Sequence, residues 1–111
     1  MSASTVNGPD SPSSYPQKFT ELTDKVLFAD MWNRPQLKPR DRSLVTVAAL
    51  VALYRLEQLP FHFKRARDNG LAVDELAEVI THLAFYSGWP TAASALNLLS
   101  ELQACQPTCQ E

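Results

Sequence analysis

Two histidines, His62 and His82, are the side chains of this chain best suited to proton transfer near neutral pH. His82 lies four residues before Tyr86, so on a helix these two side chains share one face. The helices that carry the histidines are predicted to be neighbours joined by a tight turn at Gly70, and antiparallel packing would bring the imidazoles together. The alternative is that each histidine is a satisfied polar residue at the margin of the core.

A set of arginines forms a candidate anion-binding site, because the planar guanidinium matches the two oxygen atoms of a carboxylate. Arg40 and Arg42 open a predicted helix, and Arg55 follows its end. The alternative is that they are solvated helix-end charges, paired with Asp41 or Glu57. The full set is Arg34, Arg40, Arg42 and Arg55.

Cofactor and metal chemistry have no sequence support. Cys105 and Cys109 form no Cys-x-x-Cys motif, have no base beside them and show no metal spacing with a histidine. The chain also lacks a phosphate-binding loop, a dinucleotide fingerprint, a serine elbow and a His-Glu-x-x-His motif. We therefore expect neither a metal nor an organic cofactor.

Composition places the chain among ordinary globular domains. Its 111 residues are 45% hydrophobic and 20% charged, with a net charge of −2, which gives no electrostatic reason to expect nucleic acid as a partner. No apolar run approaches the roughly 20 residues of a membrane span, and no secretory signal opens the sequence. The expected location is cytoplasmic, away from membranes.

Apolar periodicity predicts an all-α domain of about five to six helices. Residues 1–16, rich in serine and proline, are predicted to be a disordered tail, residues 17–106 one helical domain, and residues 107–111 a frayed C-terminus. After a first helical segment from Gln17 and a connector over 30–39, helices are predicted over about 39–54, 59–69, 73–87 and 90–104.

The same periodicity predicts the core. The second helix is almost entirely apolar from Leu44 to Leu53, so it is expected to be covered on every side, with a buried strand as the competing interpretation. Phe61 is expected to be exposed, and Phe85 to be buried with the end of the fourth helix. Predicted core positions of the third to fifth helices are Leu59, Phe63 and Ala66; Leu76, Val79, Ile80 and Leu83; and Ala93, Leu96, Leu99 and Leu102 or Gln103.

Three stretches taken together resemble the carboxymuconolactone decarboxylase family. They are Arg-Asp-Arg-Ser-Leu-Val-Thr-Val-Ala-Ala-Leu (40–50), Leu-Pro-Phe-His-Phe with Asn-Gly-Leu (59–63 and 69–71), and Glu-Leu-Ala-Glu-Val-Ile-Thr-His-Leu-Ala-Phe-Tyr-Ser-Gly-Trp-Pro (75–90). The resemblance covers about residues 26–102. It implies an alkylhydroperoxidase D-like helical domain that assembles into a homo-oligomeric ring, with a trimer or hexamer expected.

The resemblance implies two chemistries. One branch of the family reduces peroxides through a Glu, a Cys-x-x-Cys pair and a His; the matching histidine is His62, but Arg55 and Gln58 stand at the cysteine positions and Ser43 near the Glu position. The other branch removes CO₂ from carboxymuconolactone in aromatic catabolism. The missing thiols argue against peroxiredoxin-type activity and favour decarboxylation.

The expected function is therefore that of a cofactor-independent lyase, a candidate carboxy-lyase, acting on a small anionic lactone or related carboxylic acid. The alternatives are an alkylhydroperoxidase-type activity, which would have to use Cys105 and Cys109, and a non-catalytic ligand-binding or assembly module. The candidate catalytic residues are His62, His82 and Tyr86, and the candidate substrate-binding residues are Arg40, Arg42, Arg55 and Trp89.

Overall fold

The computed structural model describes the backbone of residues 14–109 and the side chains of residues 14–103. That part of the chain is all-helical and contains no strand, which confirms the predicted fold class. Most of the predicted tail and the last two residues lie outside it, and the predicted domain limits stay predictions. Its helices are α1 (Gln17–Glu21), continued by a π-helical segment (Leu22–Phe28), then α2 (Pro39–Ala52), α3 (Leu59–Asp68), α4 (Val73–Ser87) and α5 (Trp89–Cys109), with 3₁₀ turns at Met31–Asn33 and Leu56–Gln58.

Proline and glycine set the limits of these helices, as the sequence predicts. Pro39 opens α2 and Pro60 lies in the first turn of α3, where the missing N–H costs no helical hydrogen bond. Gly70 and Gly88 follow α3 and α4 with φ of 106° and 115°, a backbone region that side chains with a Cβ rarely adopt. The apolar run in the second helix is helical, so the competing strand interpretation is wrong.

The core lies among α2, α3, α4 and α5. Helix α5 packs along α4 and also contacts α2 and α3, while α2 packs against both α3 and α4. The predicted apolar face of α3 is confirmed. The buried apolar residues of the four helices and the turn after α3 are Val47, Val51, Leu59, Phe63, Ala66, Leu71, Leu76, Ile80, Ala84, Ala92, Ala95 and Leu99.

The predictions for α2 and for Ala93 of α5 are wrong. Helix α2 is not covered on every side in this chain, because Val45 within it and Leu53 directly after it are exposed. The buried face of α5 runs through Ala92, Ala95 and Leu99, so Ala93, predicted to be buried, is exposed. The leucines predicted beside it, Leu96 and Leu102, pack against the core while partly exposed.

Polar contacts tie α2 to the helices on either side. The guanidinium of Arg40 pairs with the carboxylate of Glu75, which also accepts a hydrogen bond from the Ala72 N–H at 2.9 Å and so caps α4. The buried Ser43 hydroxyl accepts a hydrogen bond at 3.0 Å from the side-chain amide of Asn69, at the end of α3.

The N-terminal helical segment packs differently from the rest. Its apolar stripe (Phe19, Leu22, Val26 and Leu27) is exposed and does not enter the core. The residues that follow the stripe turn inward: Phe28 is half-buried and Trp32 is 7% exposed. None of the helices in the described part of the chain is both long enough and apolar enough to cross a bilayer.

Candidate active site

His62 lies on α3 in a half-buried position between aromatic rings. The indole of Trp32 stacks on its imidazole with a centroid distance of 6.1 Å and an interplanar angle of 18°. The ring of Phe61 stands edge-on to the imidazole at 4.9 Å and also contacts Phe28 at 6.3 Å. Phe61 is thus half-buried in this cluster, and its predicted exposure is wrong.

Arg65 completes the cluster. It lies three residues after His62, so helical geometry puts both side chains on one face of α3. The central carbon of its guanidinium lies 4.7 Å from the centroid of the Phe28 ring and 4.6 Å from that of Trp32. Contacts of this kind are worth about 0.5–2 kcal/mol each, so they hold the cation at a fixed place beside the imidazole.

The surroundings of His62 keep its imidazole neutral. Burial first, and the positive charge of Arg65 second, lower the pKa of His62 from 6.5 to about 4. Its Nδ1 is a buried polar atom with no hydrogen-bond partner. At pH 7 the free protein therefore presents an uncharged imidazole with one unsatisfied ring nitrogen, held in an aromatic and cationic setting.

His82 and Tyr86 lie together, as their spacing predicts. Their rings stack with a centroid distance of 5.0 Å and an interplanar angle of 28° on an outward face of α4. Beside them Phe85 meets Trp89 edge-to-face at 5.7 Å. Phe85 is 74% exposed and Tyr86 76%, so the predicted burial of this end of α4 is wrong for the isolated chain.

The two histidines do not form one site in a single chain. Helix α3 packs against α2 and α5, and α4 packs against α5 and α2, so α3 and α4 are not a closely packed pair. The antiparallel packing expected from the short turn at Gly70 is therefore not found. His62 contacts the N-terminal segment, whereas His82 contacts only its own helix among the ring contacts of the described residues.

The three candidate arginines have separate environments. Arg40 pairs with Glu75 and Asp41, while Arg42 donates a hydrogen bond at 3.2 Å to the Arg34 carbonyl. That bond anchors the residue directly after the 3₁₀ turn that carries Trp32. Arg55 is exposed at the end of α2. Their assignment to substrate binding, like that of Trp89, stays a prediction.

Sequence reasoning missed Arg65, Trp32 and Phe28. The spacing of His62 and Arg65 was a usable signal, since residues three apart share a helical face. Phe28 and Trp32 are four apart in the sequence, and their rings stack at 6.2 Å. What the sequence did not reveal is that this pair reaches across the chain to α3.

Metal-binding geometry is absent from the described residues, where no three His, Cys, Asp or Glu side chains are grouped to hold an ion. The side chains of Cys105 and Cys109 lie outside the described part, so the thiol hypothesis has no geometry to assess.

The sequence of this all-helical domain matches a known protein family. The family model for the carboxymuconolactone decarboxylase family matches residues 17–101. The chain belongs to that family, as the resemblance indicated. Both curated relatives described next are named as decarboxylases.

Over 90 residues the chain is 34% identical to 4-carboxymuconolactone decarboxylase from Acinetobacter baylyi, a match that covers 81% of this chain and 67% of the relative. Over 76 residues it is 30% identical to a nitrosuccinic acid decarboxylase from Metarhizium robertsii, covering 68% of this chain and 53% of the relative. The chain thus spans about two thirds of the first relative and about half of the second.

Proposed function

We propose that this protein is a cofactor-independent decarboxylase acting on a small anionic lactone or a related carboxylic acid. The family and the names of two relatives support the reaction type. The observation that carries the proposal within this chain is His62, a half-buried imidazole with an unsatisfied Nδ1, set between aromatic rings and beside a cation.

The reaction needs an electron acceptor in the substrate and a proton donor in the protein. The bond between the substrate carbon and its carboxylate breaks and CO₂ leaves. The electron pair moves into a conjugated carbonyl to give an enolate, or into the nitro group of nitrosuccinate to give a nitronate. A proton is then delivered to the enolate carbon, which completes the balance. Aromatic walls such as Trp32 keep water away from this anionic intermediate and strengthen the electrostatic interactions around it.

The charge state of His62 fits these reaction steps when substrate is bound. The free imidazole is neutral at pH 7 because burial and Arg65 disfavour its protonation. An anion bound beside the ring acts in the opposite direction and raises the imidazole pKa. His62 thus takes up its proton together with the substrate and is the leading proton donor; His82, with Tyr86, is the second candidate.

The test is CO₂ release from carboxymuconolactone and from nitrosuccinate by the purified full chain. For His62→Gln, kcat should fall by about 10²–10⁴, the usual contribution of a positioned acid or base. His82→Gln is the matched variant, since it makes the same chemical change at an exposed position, and its loss should be smaller. Absence of CO₂ release from every lactone and dicarboxylic acid tried would exclude the decarboxylase.

The peroxidase alternative makes a separate prediction. Arg55 and Gln58 occupy the positions of the redox cysteines, so any peroxide reduction would depend on Cys105 and Cys109. A Cys105→Ser/Cys109→Ser variant that keeps such activity would exclude those thiols. A non-catalytic binding module would bind anionic lactones without releasing CO₂.

We further propose that the protein is a homo-oligomer, a trimer or hexamer in a cytoplasmic setting. Association is supported by apolar surface that the single chain leaves exposed, both along the stripe of the N-terminal segment and around Phe85 and Trp89. The number of subunits is what the family resemblance implies, and the cytoplasmic setting is the expectation from the sequence. Groups of exposed apolar side chains are typical of interfaces. Light scattering coupled to size-exclusion chromatography tests the proposed oligomer. Val26→Glu within the stripe should dissociate the assembly. A wild-type protein that is a monomer would exclude the proposal.

A further inference from the structure

Arg65 is the cation beside His62 in the described part of the chain. Its guanidinium lies over two rings, Phe28 and Trp32, and its Nε is a buried atom with no hydrogen-bond partner. It takes part in none of the ion pairs found among the described residues. Burial lowers the pKa of its guanidinium, and the carboxylate of Asp68, one turn further along α3, acts in the opposite direction.

The other arginines of the region are engaged elsewhere or lie apart. Arg40 is neutralised by two carboxylates. Arg42 donates a hydrogen bond from a terminal guanidinium nitrogen to the Arg34 carbonyl, and its Nε, like that of Arg65, is a buried atom without a partner. Arg65 alone is near enough to His62 for its charge to be a main cause of the imidazole's altered protonation. Arg65 is therefore the side chain placed to bind an anion beside His62.

The way Arg65 is held suits a carboxylate. Aromatic rings contact the face of a guanidinium, which leaves its N–H groups, all directed in the plane, for an acceptor. A carboxylate has two oxygen atoms that only accept, and it forms paired, charge-assisted hydrogen bonds with this fork. Two nitrogen atoms that lack partners, Arg65 Nε and His62 Nδ1, lie on the same side of α3.

We infer that Arg65 binds a carboxylate of the substrate and holds the substrate against His62. This rests on the proposed decarboxylase function and adds to it a residue that binds and positions the substrate. A carboxylate that is ion-paired with Arg65 in the bound substrate is poorly placed to leave as CO₂. The ion pair stabilises the bound substrate more than the transition state, which raises the barrier. The bound carboxylate is therefore the one retained in the product, and the substrate carries at least two acidic groups.

A purely structural role for Arg65 makes different predictions. In that case the cation only fastens Trp32 to α3, and its replacement changes stability without distinguishing one ligand from another. A pair of ligands that differ mainly in charge separates the two roles. A saturated γ-lactone carboxylate and its methyl ester form such a pair, since neither can lose CO₂ through a conjugated enolate.

The experiment is isothermal titration of both ligands into the full-length protein. Wild type should bind the carboxylate at least about tenfold more tightly than the ester, the size expected for one charge-assisted pair. Arg65→Met, which keeps an apolar stem over the rings, should remove that preference, and Arg65→Lys should restore part of it. Lys64→Gln makes a matched control, because it removes one positive charge from the adjacent, exposed position.

A preference for the carboxylate that survives in folded Arg65→Met, or is equally lost in Lys64→Gln, overturns the inference. So does a wild type that binds both ligands alike. Circular dichroism checks folding, and if Arg65→Met does not fold, the wild-type preference and its value in Arg65→Lys decide. If Arg65 binds the carboxylate but no substrate releases CO₂, the decarboxylase function alone is refuted. If CO₂ is released and KM is unchanged in Arg65→Met and Arg65→Lys, the role of Arg65 alone is refuted.

Discussion

We expect His62 to make the folded protein less stable as the pH falls. The folded-state pKa of its imidazole, about 4, lies below the ordinary value of 6.5 that applies when the chain is unfolded. Between these values the unfolded chain binds a proton that the folded chain does not bind. Acidification therefore favours unfolding, and the stability contributed by this difference is present above pH 6.5 and is lost as the pH falls towards 4.

The size of the loss follows from the shift in pKa. One pKa unit corresponds to about 1.4 kcal/mol, so the full difference between 6.5 and about 4 sets an upper limit of about 3–4 kcal/mol. The imidazole is only half-buried, and solvent screening reduces this figure. We expect wild type to lose about 1–3 kcal/mol more than a His62→Gln variant between pH 7 and pH 4.

The assay is urea unfolding followed by circular dichroism at closely spaced pH values and one fixed protein concentration, because dissociation of an oligomer would otherwise contribute. Carboxylates titrate in all variants, so the informative quantity is the difference in unfolding free energy between wild type and His62→Gln. His82→Gln is the control, because it replaces an exposed histidine. Parallel curves for wild type and His62→Gln, with no divergence below pH 6.5, would refute the reasoning.

Three further predictions concern the support of the site. Trp32→Leu removes the ring stacked on His62 and should raise the pKa of its imidazole towards 6.5, as read from histidine C–H resonances; an unchanged titration would contradict the stacking contact. Asn69→Ala should cost about 1 kcal/mol in urea unfolding because buried Ser43 loses its donor, and adding Ser43→Ala should recover part of that; strictly additive costs would contradict this. Gly88→Ala should cost about 1–3 kcal/mol in thermal unfolding through strain at φ 115°, and a neutral result would contradict it.

The helix limits were predictable because local chemistry sets them. Pro60 and Gly70 bracket α3, and Gly88 ends α4, so proline and glycine fixed what periodicity left open. The buried side of α5 was harder, because alanine and leucine occur on several of its faces and the pattern alone does not select one. The exposure of Val45 on α2 was unpredictable for another reason: apolar character shows that a side chain avoids water, but not that the same chain covers it.

The candidate site was half predictable for a similar reason. His62 and the His82–Tyr86 pair stood out by residue type and spacing. Arg65 did not, since a charged residue on a short helix is usually solvated, and only its contacts with Phe28 and Trp32 show that it is held. Those rings come from some thirty residues earlier in the chain, and contacts over such separations have no local signature in the sequence.

The N-terminal segment that supplies Trp32 is expected to unfold locally more easily than the four-helix core. Its own helical turns contribute no residue to the four-helix core, so its attachment to α3 depends largely on the aromatic and cationic contacts around His62. Segments with few buried contacts unfold locally at a lower free energy than the core. Amide hydrogen exchange should therefore be faster along 17–33 than in α3 to α5. A ligand that bridges Arg65 and His62 would slow exchange in the segment, which would link occupancy of the site to the local stability of the chain's N-terminal part.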